Sequence, residues 1–428
     1  MVKACSLGST WLSSLIICAT LVAPSSSWLY RVTSDEPSIA NMKLITVAPP
    51  RLRTLEDESE RSATWLELFY DLAFVVAVAS LVERLAHDVS ATGVASFVGY
   101  FGLLWWLWAS HTYYADRYDT DDLVYRLLAA AQMVAVVVLA ASLSLDESAS
   151  TTAFAIAYAT SRILLVAMYW RAYRHVAETR DLVRGYLVGF GVAASLWAIS
   201  AVVPESARFT LWAIALAVDL ATPWVMRHEQ ARVPLDVSHL PERFGLFTIL
   251  VLGESIAAVV VGLGHTSWGL SPTLAAAFGI GIATALWWLY FDNARGSVVR
   301  RDASVRKTWR PTVWIYTHFL LAAALAGFGA ALELAVEEAG HDVVEAGHRW
   351  LLVGSIALAF AALGLIQLAS SSDGEDRAII LARAIGIPLV LVVGLFTGLG
   401  SEWLVFGALG ICVAELVSDM AASESEVV

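Results

Sequence analysis

Carboxylates stand inside apolar runs at two places in this chain. The stretch TWLELFYDLAFVVAVASL, residues 64–81, carries Glu67 and Asp71, and HLPERFGLFTILVLGESIAAVVVG, residues 239–262, carries Glu254. A central acid in hydrocarbon costs roughly 2.5–3.5 kcal/mol on insertion scales, so such groups survive where they are partnered, solvated or used. Glu67 and Asp71 are four apart and share a helix face that Phe74 and Val78 continue. Asp71 would lie about 9 Å deeper than Trp65 at the helical rise per residue. The chemistry this spacing suits is a protonatable or cation-binding pair facing a bundle interior; the bland reading is a helix-end charge satisfied by the dipole or by an Arg. Of the two, Glu67 is the shallower and the more structural.

Arg243, Phe247, Leu250 and Glu254 follow helical spacing, which puts Glu254 roughly 16 Å along the axis from Arg243 and near the middle of a bilayer. Arg243 is then not its direct partner. Glu254 suits a proton relay, or else a structural ion pair with Arg162, the basic residue that stands clearly mid-run. Asp219 (AVDLATPW) is also mid-run, with Pro223 one turn later freeing a backbone carbonyl; it is either part of a site or a partner of Arg126 or Arg162. His111 and His318 read as satisfied polar packing before proton carriers. The tract HTYYADRYDTDDLVYR holds Asp116, Asp119, Asp121 and Asp122 without the glycine and closing glutamate of a calcium loop, so capping and salt bridges to Arg117 or Arg126 are expected. His228, Glu229, Asp236, His239 and Glu242 cluster further on without an HExxH pattern. No metal site, cofactor site or catalytic constellation is therefore expected.

The elements that must position these residues are membrane helices. Of 428 residues 58% are hydrophobic and 15% charged, and the mean hydropathy is +0.67; a soluble domain cannot bury that much apolar surface. Apolar runs of about 20 residues, enough to cross a hydrocarbon core, recur along the chain. Twelve spans are expected, near 65–85, 94–115, 123–145, 151–170, 185–203, 208–226, 243–264, 272–292, 311–333, 349–369, 378–398 and 402–420. With that count, nineteen Arg and Lys residues fall in the segments of one side and three, Arg84, Arg208 and Arg349, on the other. Such asymmetry follows the positive-inside rule and puts both termini in the cytoplasm of a cell (plasma) membrane. The net charge of −12 comes from dispersed acids, which excludes a nucleic-acid surface. Cys5, Cys18 and Cys412 lack paired spacing, so no disulfide framework is indicated.

Lys3, the apolar stretch Trp11 to Ala23 and the small residues after it look like a signal peptide. A cleaved signal conflicts with the charge asymmetry, and residues 1–41 read instead as an extension, with a start at Met42 as one reading. The expected organisation is an N-terminal extension and cytoplasmic segment (1–61), a first six-helix half (62–227), a cytoplasmic connecting loop (228–242) and a second half with a short tail (243–428). The halves echo each other: Glu67-Leu68-Phe69 against Glu242-Arg243-Phe244, and Trp105 to Trp108 against Trp287-Trp288-Leu289-Tyr290. Six spans per half make this a parallel pseudo-repeat, an arrangement found in secondary transporters. Gly253, Gly262, Gly264, Gly279 and Gly281 are the expected packing surface between helices.

The blocks WLELFYDLAFVVAV, ADRYDTDD and HLPERFGLFTILVLGESI, in that order and with the paired tryptophans, resemble the bacterial low temperature requirement protein A family over about residues 62 to 420. The resemblance falls on Glu67, Phe69, Tyr70, Asp71, Asp119, Asp121, His239, Glu242, Arg243, Gly253 and Glu254. It implies a multi-pass membrane protein linked to growth in the cold, with no established substrate or reaction. The expectation drawn from the acids and the repeat is an all-α secondary transporter or permease, proton- or cation-coupled through Asp71 and Glu254 with Asp219 or Arg162 as partners. Its partners would be the lipid bilayer and a small molecule or ion. The competing reading is a non-transporting scaffold or sensor supporting growth in the cold, and an intramembrane enzyme ranks last.

Overall fold

The computed structural model describes residues 47–53, 63–143, 147–233, 239–293, 309–341, 343–370 and 377–425. The signal-like segment, Cys5, Cys18, Asp236 and the basic run from Arg295 to Lys307 lie outside them. The helices are α1 (Trp65–His87), α2 (Ala91–Arg117), α3 (Leu123–Ser142), α4 (Glu147–His175), α5 (Arg180–Ser200), α6 (Glu205–Val225), α7 (His239–Gly264), α8 (Leu270–Asn293), α9 (Trp309–Glu337), α10 (Ala346–Ser370), α11 (Arg377–Val393) and α12 (Ser401–Ser425). A single helical turn, Arg227–Gln230, follows α6. Strands β1 (Arg51–Leu52) and β2 (Tyr118–Asp119) pair antiparallel, Arg51 opposite Asp119, and tie the segment before α1 to the end of α2.

Among the described residues, ten helices are long and apolar enough to cross a membrane: α1 to α5, α7 to α10, and α12. The other two expected spans are helices of a different character. α6 carries Arg208, Asp219 and Pro223, and α11 is 17 residues long with Arg377 and Arg383. The expected connecting loop, 228–242, is shorter at its end: α7 starts at His239 and not at Arg243. His239 and Arg243 are wholly buried, and their contacts with acids of α1 and α2 make the last turn of the expected loop helical.

Helix starts follow from short polar side chains. Thr64 Oγ1 accepts from the Glu67 amide at 3.3 Å while Glu67 Oε2 accepts from the Thr64 amide at 2.7 Å, a capping box that satisfies two amides the helix cannot. Ser90 caps α2 through the Gly93 amide. Asp122 caps α3, accepting from the amides of Val124 and Tyr125, and Arg171 of α4 donates to both its oxygens, at 2.8 and 2.7 Å.

Burial alone would push the Asp122 carboxyl up, but Arg171 and the two amides outweigh it and hold it below the usual range. A carboxylate depressed in the fold contributes stability above its unfolded value, roughly 3.9, and that contribution fades as pH falls through the folded value. Asp122→Ala is expected to cost about 2–4 kcal/mol near neutrality by removing cap and partner together. Thermal unfolding in detergent should show the gap to the parent narrowing below about pH 4; a pH-independent gap would assign the loss to packing.

α9 is the centre of the bundle, packed against α1, α7, α8 and α10, and its alanines from Ala322 to Ala331 are buried. Small residues let the neighbours approach closely. A Cβ on Gly262 of α7 would meet the Glu333 carbonyl oxygen of α9 at 2.8 Å, and one on Gly279 of α8 would overlap Leu332. Gly281 of α8 packs on Leu409 of α12, whereas Gly253 and Gly264 have open space where a Cβ would stand. Those two are not part of the packing surface. The tryptophans of α2 are buried, and Trp287 and Trp288 of α8 are exposed, so two runs matched in sequence meet different surroundings.

Candidate functional site

Glu67 and Asp71, one turn apart on α1, both point into the bundle and are buried. Asp71 Oδ1 accepts from Arg243 Nη2 of α7 at 2.6 Å and from Trp108 Nε1 of α2 at 2.8 Å. Arg243 Nη1 lies 3.8 Å from Glu67 Oε2, and His239, one turn before it, lies between Glu67 (3.4 Å) and Asp116 of α2 (3.0 Å). Thus α1, α2 and α7 meet through three carboxylates, one guanidinium and one imidazole. Trp108 is stacked on Phe247 of α7 at 4.2 Å, which fixes the indole that donates to Asp71. Asp71 Oδ2 and Arg243 Nε, both buried, have no hydrogen-bond partner among the described residues.

Arg162 of α4 and Asp219 of α6 form a second buried pair through Nη2 and Oδ1, with no exposed side-chain surface on either. Arg162 Nη1 also donates to Ser110 Oγ of α2 at 3.0 Å, and the guanidinium lies over the Phe190 ring at 4.6 Å. Arg162 is therefore the partner of Asp219 and not of Glu254. Arg126 is engaged at the surface by Asp121, at 2.7 and 2.8 Å.

Gln132 and His111 are polar side chains near both pairs. Ser161, next to Arg162, accepts through its carbonyl from Gln132 Nε2 of α3 at 3.0 Å, and Gln132 Oε1 is 2.8 Å from His111 Nδ1. The His111 ring is stacked on Tyr70 at 3.9 Å, and Tyr70 precedes Asp71. A cavity of about 610 Å³ is lined by Arg84, Tyr100, Leu103, Thr151, Trp212 and Leu216 among others. Its lining residue Leu216 is one helical turn from Asp219. The cavity occupies the gap between α2 and α6.

Glu254 stands apart from these pairs. It is half-buried, on the α7 flank where a Cβ on Gly329 of α9 would stand 3.7 Å from its carbonyl carbon, and it makes no hydrogen bond or ion pair among the described residues. The remaining family-motif residues divide between surface and interior. Phe69 is exposed, Tyr70 buried, Asp119 sits in β2, and Glu242 accepts from the Ala63 amide at 3.1 Å. His318 Nδ1 donates to the Trp314 carbonyl at 2.7 Å and its Nε2 lies 3.1 Å from the Tyr290 hydroxyl, which is local packing in the second half.

Sequence reasoning missed several members. Trp108, Gln132 and Ser110 carry no signal in an apolar run. Arg383 of α11, which bonds Glu415 and Asp419 of α12, was legible only from the acid side: Glu415 and Asp419 repeat the four-residue spacing of Glu67 and Asp71.

Fold and site together define an all-α, multi-pass membrane protein with charged groups buried among its helices. Residues 62–414 match the family described as bacterial low temperature requirement A protein (LtrA), and the chain belongs to that family. It is also similar to an uncharacterized protein, RA0937, of Rhizobium meliloti (strain 1021), with 29% identity over 278 residues, 61% of this chain and 67% of that one.

Proposed function

We propose that this protein is a secondary transporter or permease, coupled to protons or cations, that moves a small molecule or ion across the plasma membrane. The observation that carries the reading is the set of ionisable groups buried among the helices, the Arg162–Asp219 and Asp71–Arg243 pairs, with a cavity whose lining reaches Leu216, one turn from Asp219. Buried ionisable groups in a membrane bundle are costly and mark ion pathways by default. Asp71 of the second pair and Glu254, which has no partner among the described residues, are the coupling acids in this reading, and the two Arg–Asp pairs hold the path between the states that face either side.

The same reading takes α6 and α11 as the sixth and eleventh of twelve spans, with both termini cytoplasmic. Supporting it, helix neighbours recur in the two halves: α1 with α3 and α7 with α9, α3 with α4 and α9 with α10, α5 with α6 and α11 with α12. α8 packs on α12, and the corresponding place between α2 and α6 is the cavity. A parallel repeat in which one half is open at that interface suits alternating access.

Vesicles containing the purified protein and a trapped pH dye, placed under a potassium diffusion potential, test the coupling. Proton entry above that of empty vesicles is expected for the parent and expected to be lost in Glu254→Gln, whose melting midpoint should be unchanged because no partner is removed. Unchanged proton entry in that variant would end the assignment. Absence of flux in the parent, with lower thermostability on neutralising the acids, would favour the scaffold.

A further inference from the structure

At the end of the bundle away from Asp71, α7 and α9 finish side by side. Gly262 brings the α7 backbone against the Glu333 carbonyl, and the chain then turns, the His265 amide bonding the Gly262 carbonyl at 3.1 Å. That turn delivers the His265 ring to Glu337, to which Nδ1 is hydrogen-bonded. Glu333 is one turn before Glu337 on the same face of α9. One ligand atom from each of His265, Glu333 and Glu337 lies within 4.8 Å of the others.

Glu333 is the informative member. It is 9% exposed, yet it makes no hydrogen bond or ion pair among the described residues, and its carboxylate faces the His265–Glu337 pair. Glu83 and His87 of α1 and His265 of the turn are close enough to act on it electrostatically, and of these the two histidines, when protonated, help to neutralise it. A buried carboxylate beside a second carboxylate is unfavourable unless a cation joins them.

We propose that His265, Glu333 and Glu337 bind a divalent first-row transition-metal ion of the zinc class. One imidazole and two carboxylates form a mixed nitrogen and oxygen donor set that suits such ions, with room for water in the remaining positions. Ligand atoms around a tetrahedral zinc are roughly 3.3 Å apart, so side-chain rotations contract the present spacing to a coordination sphere. This inference goes beyond transport and stands without it. A neighbouring cluster, Glu338, Glu345 and His348, serves as the internal control: Glu345 is exposed, and both glutamates are already bridged by His348, Glu338 at 2.7 Å and Glu345 at 3.7 Å.

The full chain in detergent, stripped by chelator, is titrated with zinc by calorimetry and with cobalt by visible absorption. One equivalent of zinc should bind and raise the melting midpoint, and cobalt should give the ligand-field bands of an ion with a nitrogen donor. Glu333→Gln and His265→Gln should each weaken zinc by about 100-fold or more, since ligand loss exceeds the 10- to 100-fold cost of losing outer-shell support. His348→Gln should bind as the parent does. No stoichiometric zinc binding by the parent, parental affinity in both ligand variants, or loss of the site in His348→Gln would each overturn the proposal. Should Glu333→Gln fail to fold, the exposed His265 carries the test alone.

Discussion

Replacing Arg243 by Ala is expected to destabilise the protein by about 3–5 kcal/mol, among the largest effects of any single substitution in the chain. The cost is that of leaving buried charge without its partner. Arg243 is wholly buried, donates to Asp71 at 2.6 Å and stands 3.8 Å from Glu67, so its loss strands two carboxylates where α1 meets α7. Arg243→Lys should recover only part of the loss, because an ammonium cannot serve both acids from one planar fork. Adding Asp71→Asn to Arg243→Ala should restore much of it, since the amide keeps the shape and removes the charge. Thermal unfolding in detergent reads all three, and an Arg243→Ala protein as stable as the parent would show that the interior accommodates these acids without it.

Asp219→Ala is expected to cost a similar amount, about 3–5 kcal/mol, by stranding Arg162. The informative companion is the double replacement Arg162→Met with Asp219→Leu. Well-packed apolar residues in place of a buried pair are often neutral or stabilising, so this variant should melt at or above the parent. The transport reading assigns the pair to the path, so the same variant should lose proton entry in vesicles. Stability regained together with parental flux would make the pair purely architectural and move the path elsewhere.

The acid positions were legible because hydrocarbon is unforgiving: Glu67, Asp71, Asp219 and Glu254 stand out in apolar runs whatever they do. Their pairing was not. Asp71 and Arg243 are 172 residues apart in the chain, and Arg162 had three acids it could have answered. Depth along a helix excluded Arg243 as the partner of Glu254, but it could not select Asp71, since that depends on which faces of α1 and α7 meet. The start of α7 was misplaced for the same reason: His239 and Glu242 read as loop polarity until Asp116 and Glu67 were brought against the first turn. The glycines show the limit from the other side. Gly262 and Gly253 are alike in sequence, and only the passage of α9 makes one a contact and leaves the other open.

Composition and hydropathy alone determine that the chain is a helical, multi-pass membrane protein, because backbone amides in lipid have to be satisfied within each segment. The ordered motif blocks point to its family for a local reason as well, since they are contiguous. Tertiary structure alone decides that Asp71 answers Arg243, that Asp219 answers Arg162, that a cavity lies where α2 and α6 part, and that Glu333 meets His265. These are contacts between segments far apart in the chain, chosen by helix rotation and close packing, which no hydropathy period encodes.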